Sequence, residues 1–209
     1  GRRLPDSTGF HLLKAFKELG HEVVHVLPED IFKFGRDAAD LFVKCDDGIY
    51  SQWNPALRPS HYFIIDSHIE VGFRKKILEE GNFDTASVVH SQGLTVDWGR
   101  WDVYWLPVGC TQEWNYTGHW AKQYDGCFIG NFHNNLAGPR IEALDAFFKA
   151  CQGPIFFGNR TFKEMTDKYG QSKLVFNRSI SGDANMRVFE ALATRSFLLT
   201  PHVPGLMDL

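Results

Sequence analysis

The sequence predicts an α/β protein made of two Rossmann-like lobes, and three observations carry that expectation. Short apolar runs such as YFII (62–65), ASVVH (86–90), YDGCFI (124–129) and PIFF (154–157) alternate with segments long enough for helices, the spacing of a mostly parallel sheet. The same alternation restarts after a polar, aromatic stretch in mid-chain. Glycines stand at the carboxyl ends of several runs, the edge along which open α/β sheets bind ligands.

At 209 residues the chain fits one large domain or two lobes of about 100 residues each. Apolar residues make up 44% and charged residues 22%, which excludes a disordered chain. A net charge of −3 gives no pull toward nucleic acid and argues against it as a partner. Cys45, Cys110, Cys127 and Cys151 are dispersed without a CxxC pair; they read as buried thiols rather than zinc or redox ligands. No apolar stretch approaches the roughly 18 residues of a membrane span, and no signal peptide is visible. The expectation is a cytoplasmic protein without a transmembrane segment, in which the sequons at Asn115, Asn159 and Asn177 are incidental.

The first lobe is expected over residues 1–110. Thr8 to Leu19 predicts a helix with Phe10, Leu13, Phe16 and Leu19 on one face and Gly20 as its stop. HEVVHVL (21–27) reads as a buried strand, followed by strands at 62–65, 86–90 and 103–106. Turn, helix, strand is the latter part of a βαβ unit, so the first strand is expected before Arg2, outside the chain. Residues 111–123 (TQEWNYTGHWAKQ) lack periodicity and form the expected linker.

The second lobe is expected over 124–209. Strand 124–129 leads through a loop to a helix with Pro139 in its first turn and Ile141, Leu144, Phe147, Phe148 and Cys151 inward. Strands at 154–157, 174–176 and 197–200 and helices at 161–169 and 185–194 follow. The closing elements of such a lobe are expected beyond Leu209.

Three features of this lobe carry chemistry. In IGNFHNNLAGPR (129–140), Gly130 admits a ligand to the backbone, the next helix offers free amides, and Arg140 adds a charged fork for a phosphate. An ordinary tight turn is the alternative. FGN (157–159) repeats the pattern with Gly158 at a strand end. In the last helix, periodicity places Val188, Phe189, Leu192 and Ala193 on the buried side and Arg187, Glu190 and Thr194 opposite. Glu190 there is suited to a ribose diol and Arg187 to a diphosphate; the alternative is an exposed Arg187–Glu190 pair.

The run NMRVFEALATRSFLLT (185–200) resembles the donor-site segment of the CgeB-like glycosyltransferases, a branch of the group 1 transferases with the GT-B fold. Their pattern is approximately N-x-R-x-[FW]-E-x-x-A-[TC]-G-x-x-x-L-T. WLPVGC (105–110), YDGCFIGN (124–131) and KLVFNRSISG (173–182) fall in the family's order. The resemblance covers residues 60–209 well and the first 60 loosely.

The resemblance implies a metal-independent transferase, without cofactor, that moves a sugar from a UDP-, GDP- or TDP-linked donor to an unknown acceptor in the cleft between the lobes. It implies that Glu190 holds the ribose, and that Asn185 and Arg187 lie near the diphosphate or sugar. Gly130 and Asn131 would line the phosphate-facing loop, and Asn177 would sit close to the nucleotide. Two positions depart from the pattern. Gly182 stands where many relatives have a second glutamate, so Asp183, one residue out of register, is the nearest acidic candidate. Arg195 stands where the family has glycine.

The first lobe would supply the acceptor side and the base. Asp66 and His68 follow strand YFII and His90 ends another strand, which makes these three the candidates for taking the acceptor's proton. Structural histidines are the alternative. Two other readings share the architecture: a nucleotide-sugar epimerase, and a degenerate or truncated transferase serving as a nucleotide-binding or assembly module.

Overall fold

Eight short strands form two separate four-stranded parallel sheets. The computed structural model describes residues 7–46, 48, 51–110, 120–130, 138–160, 162–179 and 182–208. The chain divides into two units, Gly1–Pro107 and Val108–Leu209. Most of the expected linker, 111–119, lies outside the described residues. Cys110, assigned to the first lobe by its sequence position, packs in the second unit, where its thiol reaches the Phe189 carbonyl at 3.5 Å.

The first unit runs α1 (Thr8–Glu18), β1 (Phe42–Cys45), β2 (Ser60–Ile64), α2 (Val71–Gly81), β3 (Thr85–Val88) and β4 (Val103–Trp105), with the strands side by side in chain order. Tyr62, Ile64, Ala86 and Val88 pack against Ile77 and Leu78 of α2, with Phe83 and Trp98, to make its main core. The expected strand at 21–27 is a correction. That stretch joins no sheet among the described residues, and the strand beside β2 is β1, which the sequence pattern did not signal. Val24 is exposed, and Val26 packs instead on the small cluster of Ile31, Phe42 and Leu57. Leu19, expected on the inner face of α1, is exposed as well.

The second unit runs β5 (Tyr124–Ile129), α3 (Gly138–Ala150), β6 (Ile155–Gly158), α4 (Phe162–Gly170), β7 (Ser172–Phe176), α5 (Met186–Ala193) and β8 (Phe197–Leu199). Its sheet is covered on both faces, as the strand period of two requires. Cys127, Ile129 and Val175 point to one side, with Tyr169 of α4 and Ala191 of α5. Phe128 and Phe176 point to the other, with Leu144 and Phe147 of α3. Burial pushes the Cys127 thiol up to about 12, so it is inert at neutral pH. α3 turns Leu144, Phe147, Phe148 and Cys151 inward as expected, but Ile141 faces outward and Arg140 is buried at 5% exposure.

Helix α5 ends in a left-handed residue, Arg195, with φ of 55°. Its N–H donates to the Leu192 carbonyl at 2.9 Å and that of Ser196 to Ala191 at 3.3 Å, a helix stop that glycine fills without strain. Arg195→Gly is therefore expected to raise stability by about 0.5–1 kcal/mol. Urea unfolding of the variant checks this; a loss of stability would show that the Arg195 side chain outweighs its backbone strain.

Candidate functional site

Strand order in the second unit is β6-β5-β7-β8. The chain leaves β5 toward β6 on one side and leaves β7 toward β8 on the other, so the order reverses between β5 and β7. The crevice at the carboxyl ends of two such strands is where open α/β sheets bind ligands. Gly130 follows β5, Asn177 follows β7, and the Gly130 N–H donates to the Gly158 carbonyl at the end of β6, 3.1 Å away.

A polar cluster is built around that crevice. Asn177 is fully buried, and its Oδ1 accepts from Arg187 Nη1 at 3.0 Å and from Asn185 Nδ2 at 3.4 Å. Asn185 is the residue before the first turn of α5, yet its side chain caps no helix N–H; it turns to Asn177 instead. Asn177 Nδ2, Asn185 Oδ1 and Arg187 Nε are buried and have no hydrogen-bond partner among the described residues. A buried polar group without a partner costs about 1–3 kcal/mol, and Arg187 also has the Tyr169 hydroxyl beside it.

Arg140 comes to the same crevice from α3, its Nε donating to the Arg178 carbonyl at 2.7 Å. Its guanidinium carbon and that of Arg187 lie 6.0 and 5.4 Å from the Phe128 ring centre. Burial first, and then repulsion from Arg187, hold the Arg140 guanidinium below its usual range, with buried Asp183 opposing them. Two cations kept near each other in a partly desolvated place favour an anion between them. Gly130 leaves room for this: a Cβ there would stand 2.9 Å from both Arg187 Nη2 and Phe128 Cζ. Gly130→Ala is expected to displace Arg187 and cost about 1–3 kcal/mol of stability, read by urea unfolding. An unchanged midpoint would show that the crevice accepts a methyl group.

Glu190 corrects the sequence expectation. It is 8% exposed, whereas Leu192, expected in the core, is 55% exposed. The inner side of α5 is Val188, Glu190 and Ala191. At that burial Glu190 is not the exposed partner that a surface pair with Arg187 needs. Its carboxylate lies near Cys110 and Tyr169. Burial chiefly raises the thiol and the phenol above their usual ranges, and the Glu190 charge adds to both. Gly182, with φ of 73°, adopts the left-handed region that favours glycine, so a glutamate there would be strained. Asn131 lies outside the described residues.

In the first unit Asp66, His68 and His90 gather at the carboxyl edge of the sheet. The His68 and His90 rings meet edge-on, 4.7 Å between centres. His90 is 4% exposed, while the Asp66 side chain is 48% exposed. Two residues that the sequence reading missed organise this edge. Arg74 of α2, itself 2% exposed, donates from Nε to Asp46 at 2.6 Å and stands 3.5 Å from Asp66. Asp46 ends β1, and Arg74 lies one turn before Ile77 and Leu78 on the inner side of α2; that phase was the available signal.

Among the described residues no group of His, Cys, Asp and Glu is placed to hold a metal, and no helix is long and apolar enough to cross a membrane. No protein-family model matches the chain, and no curated protein does.

Proposed function

We propose that the chain is a GT-B type glycosyltransferase of the CgeB-like group, whose second unit binds a nucleoside-diphosphate sugar. The observation that carries the reading is the cluster of buried Asn177 with half-buried Asn185 and Arg187 at the strand-order reversal, with Arg140 beside it. A diphosphate offers acceptors to Asn177 Nδ2 and Arg187 Nε, while Asn185 Oδ1 would take a donor such as a sugar hydroxyl. In this reading Arg187 and Arg140 take the diphosphate, the Gly130 and Gly158 turns admit it to the backbone, and Glu190 accepts from the ribose hydroxyls. The guanidinium groups and the α5 amino end stabilise charge on the departing diphosphate, work a metal does elsewhere. Asp66, its side chain 48% exposed, takes the acceptor's proton, and His68 is the second candidate.

The test is a thermal-shift and saturation-transfer screen of UDP, GDP, TDP and their sugars. One nucleoside diphosphate is expected to stabilise the protein by about 2.7 kcal/mol at 100 times its Kd. If none shifts the melting curve or shows transfer, the donor-site reading fails.

A further inference from the structure

Arg187 is held on several sides. It stands half-buried in the first turn of α5, with its guanidinium carbon 5.4 Å from the Phe128 ring centre. Nη1 donates to Asn177 Oδ1 at 3.0 Å, and Nη2 lies 2.9 Å from where a Cβ on Gly130 would stand. The residue that accepts from it is itself fixed. Asn177 follows β7, its backbone N–H donates to the Leu199 carbonyl at 2.9 Å, and it is fully buried.

We propose that Asn177 is a positioning residue, whose Oδ1 aims the Arg187 guanidinium at the diphosphate without taking up its charge. The proposal rests on the donor-site reading and deepens it. A long arginine side chain loses much rotamer freedom when a ligand fixes it, and holding it beforehand removes that cost from binding. The kind of acceptor matters as much as the hold. A carboxylate in this place would fix the arginine and also pair with its charge, so that a diphosphate would compete with it. An amide oxygen accepts an N–H and is neutral, which leaves the positive charge for the ligand. The same oxygen lies 3.4 Å from Asn185 Nδ2, so one buried amide orders two polar side chains at the start of α5. Full burial suits this role, because Oδ1 acts through Arg187 and needs no contact with the ligand.

The test follows Arg187 in the full chain, first without a nucleotide. The ¹H–¹⁵N signal of Arg187 Nε, assigned with Arg187→Met, is expected to stand apart from that of free arginine and to collapse onto it in Asn177→Ser. Asn177→Asp keeps an oxygen in place and is expected to keep the signal displaced. Affinity is then measured for UDP, GDP or TDP, whichever binds best. Asn177→Ser is expected to weaken it about tenfold in the parent but only about threefold or less in Arg187→Met, where Asn177 has no guanidinium left to aim. A general loss of structure would cost the same in both backgrounds. Asn177→Asp is expected to weaken it about tenfold or more, since its carboxylate takes up the charge. The proposal is overturned if the signal is unchanged in Asn177→Ser, if that variant costs the same in both backgrounds, or if Asn177→Asp binds as the parent does. A parent that binds none of these nucleotides removes the donor-site reading instead, and the signal still decides whether Asn177 holds Arg187.

Discussion

Arg74→Met is expected to destabilise the first unit by about 3–5 kcal/mol, the cost of leaving a buried charge without its partner. The Arg74–Asp46 pair is the most deeply buried ion pair among the described residues, with side chains 2% and 1% exposed. Removing the guanidinium strands the Asp46 carboxylate, which retains only the Gly48 N–H at 3.0 Å. Asp46→Asn is expected to cost less, because Arg74 keeps the Ile69 carbonyl and half-exposed Asp66. The double variant Arg74→Met/Asp46→Asn should recover much of the loss, since no charge is then left buried alone. Hydrogen exchange separates the two units: protection of β2 and β3 should fall while that of β5 and β7 holds. A loss below about 1 kcal/mol would mean that the pair behaves as a solvated one.

Glu190→Gln is expected to weaken binding of the best nucleoside diphosphate at least tenfold, about 1.5–3 kcal/mol for a hydrogen bond to a charged group. The variant keeps the shape and one acceptor oxygen and exchanges the other for an NH2 donor, so the unliganded melting curve should move little. Calorimetric titration beside that curve distinguishes the roles. Stability that falls while affinity holds would make Glu190 a structural carboxylate and remove it from the donor site. A second readout reports its placement without any nucleotide. Burial, and after it the Glu190 charge, raise the Cys110 thiol; losing that charge lets the thiolate form at lower pH. Iodoacetamide should then label Cys110 faster in Glu190→Gln at the same alkaline pH. An unchanged rate would mean that the carboxylate does not face the thiol.

Local pattern made much of the second unit legible. YDGCFI became β5 with the expected bounds, because six residues with alternate faces buried on helices leave little freedom of register. Helices were easier to find than to orient. In α3 only the edge of the inner face differs, with Arg140 buried where Ile141 was expected, whereas in α5 Glu190 is buried and Leu192, two positions on, is exposed. Which phase holds depends on the neighbours each helix meets: Phe128 and the Arg178 carbonyl receive Arg140, and the region of Cys110 and Tyr169 receives Glu190.

The sequence by itself determined where most strands and helices form and that glycines close β5 and β6, since propensity and periodicity act within a few residues. Only the tertiary structure decided that residues 42–45 and not HEVVHVL form a strand of the first sheet, and that the strand order reverses between β5 and β7. That reversal brings Gly130, Gly158, Asn177 and Arg187 to one crevice. Strand order is settled by which partners bury apolar area and satisfy backbone groups over long separations, and a local pattern does not carry that information.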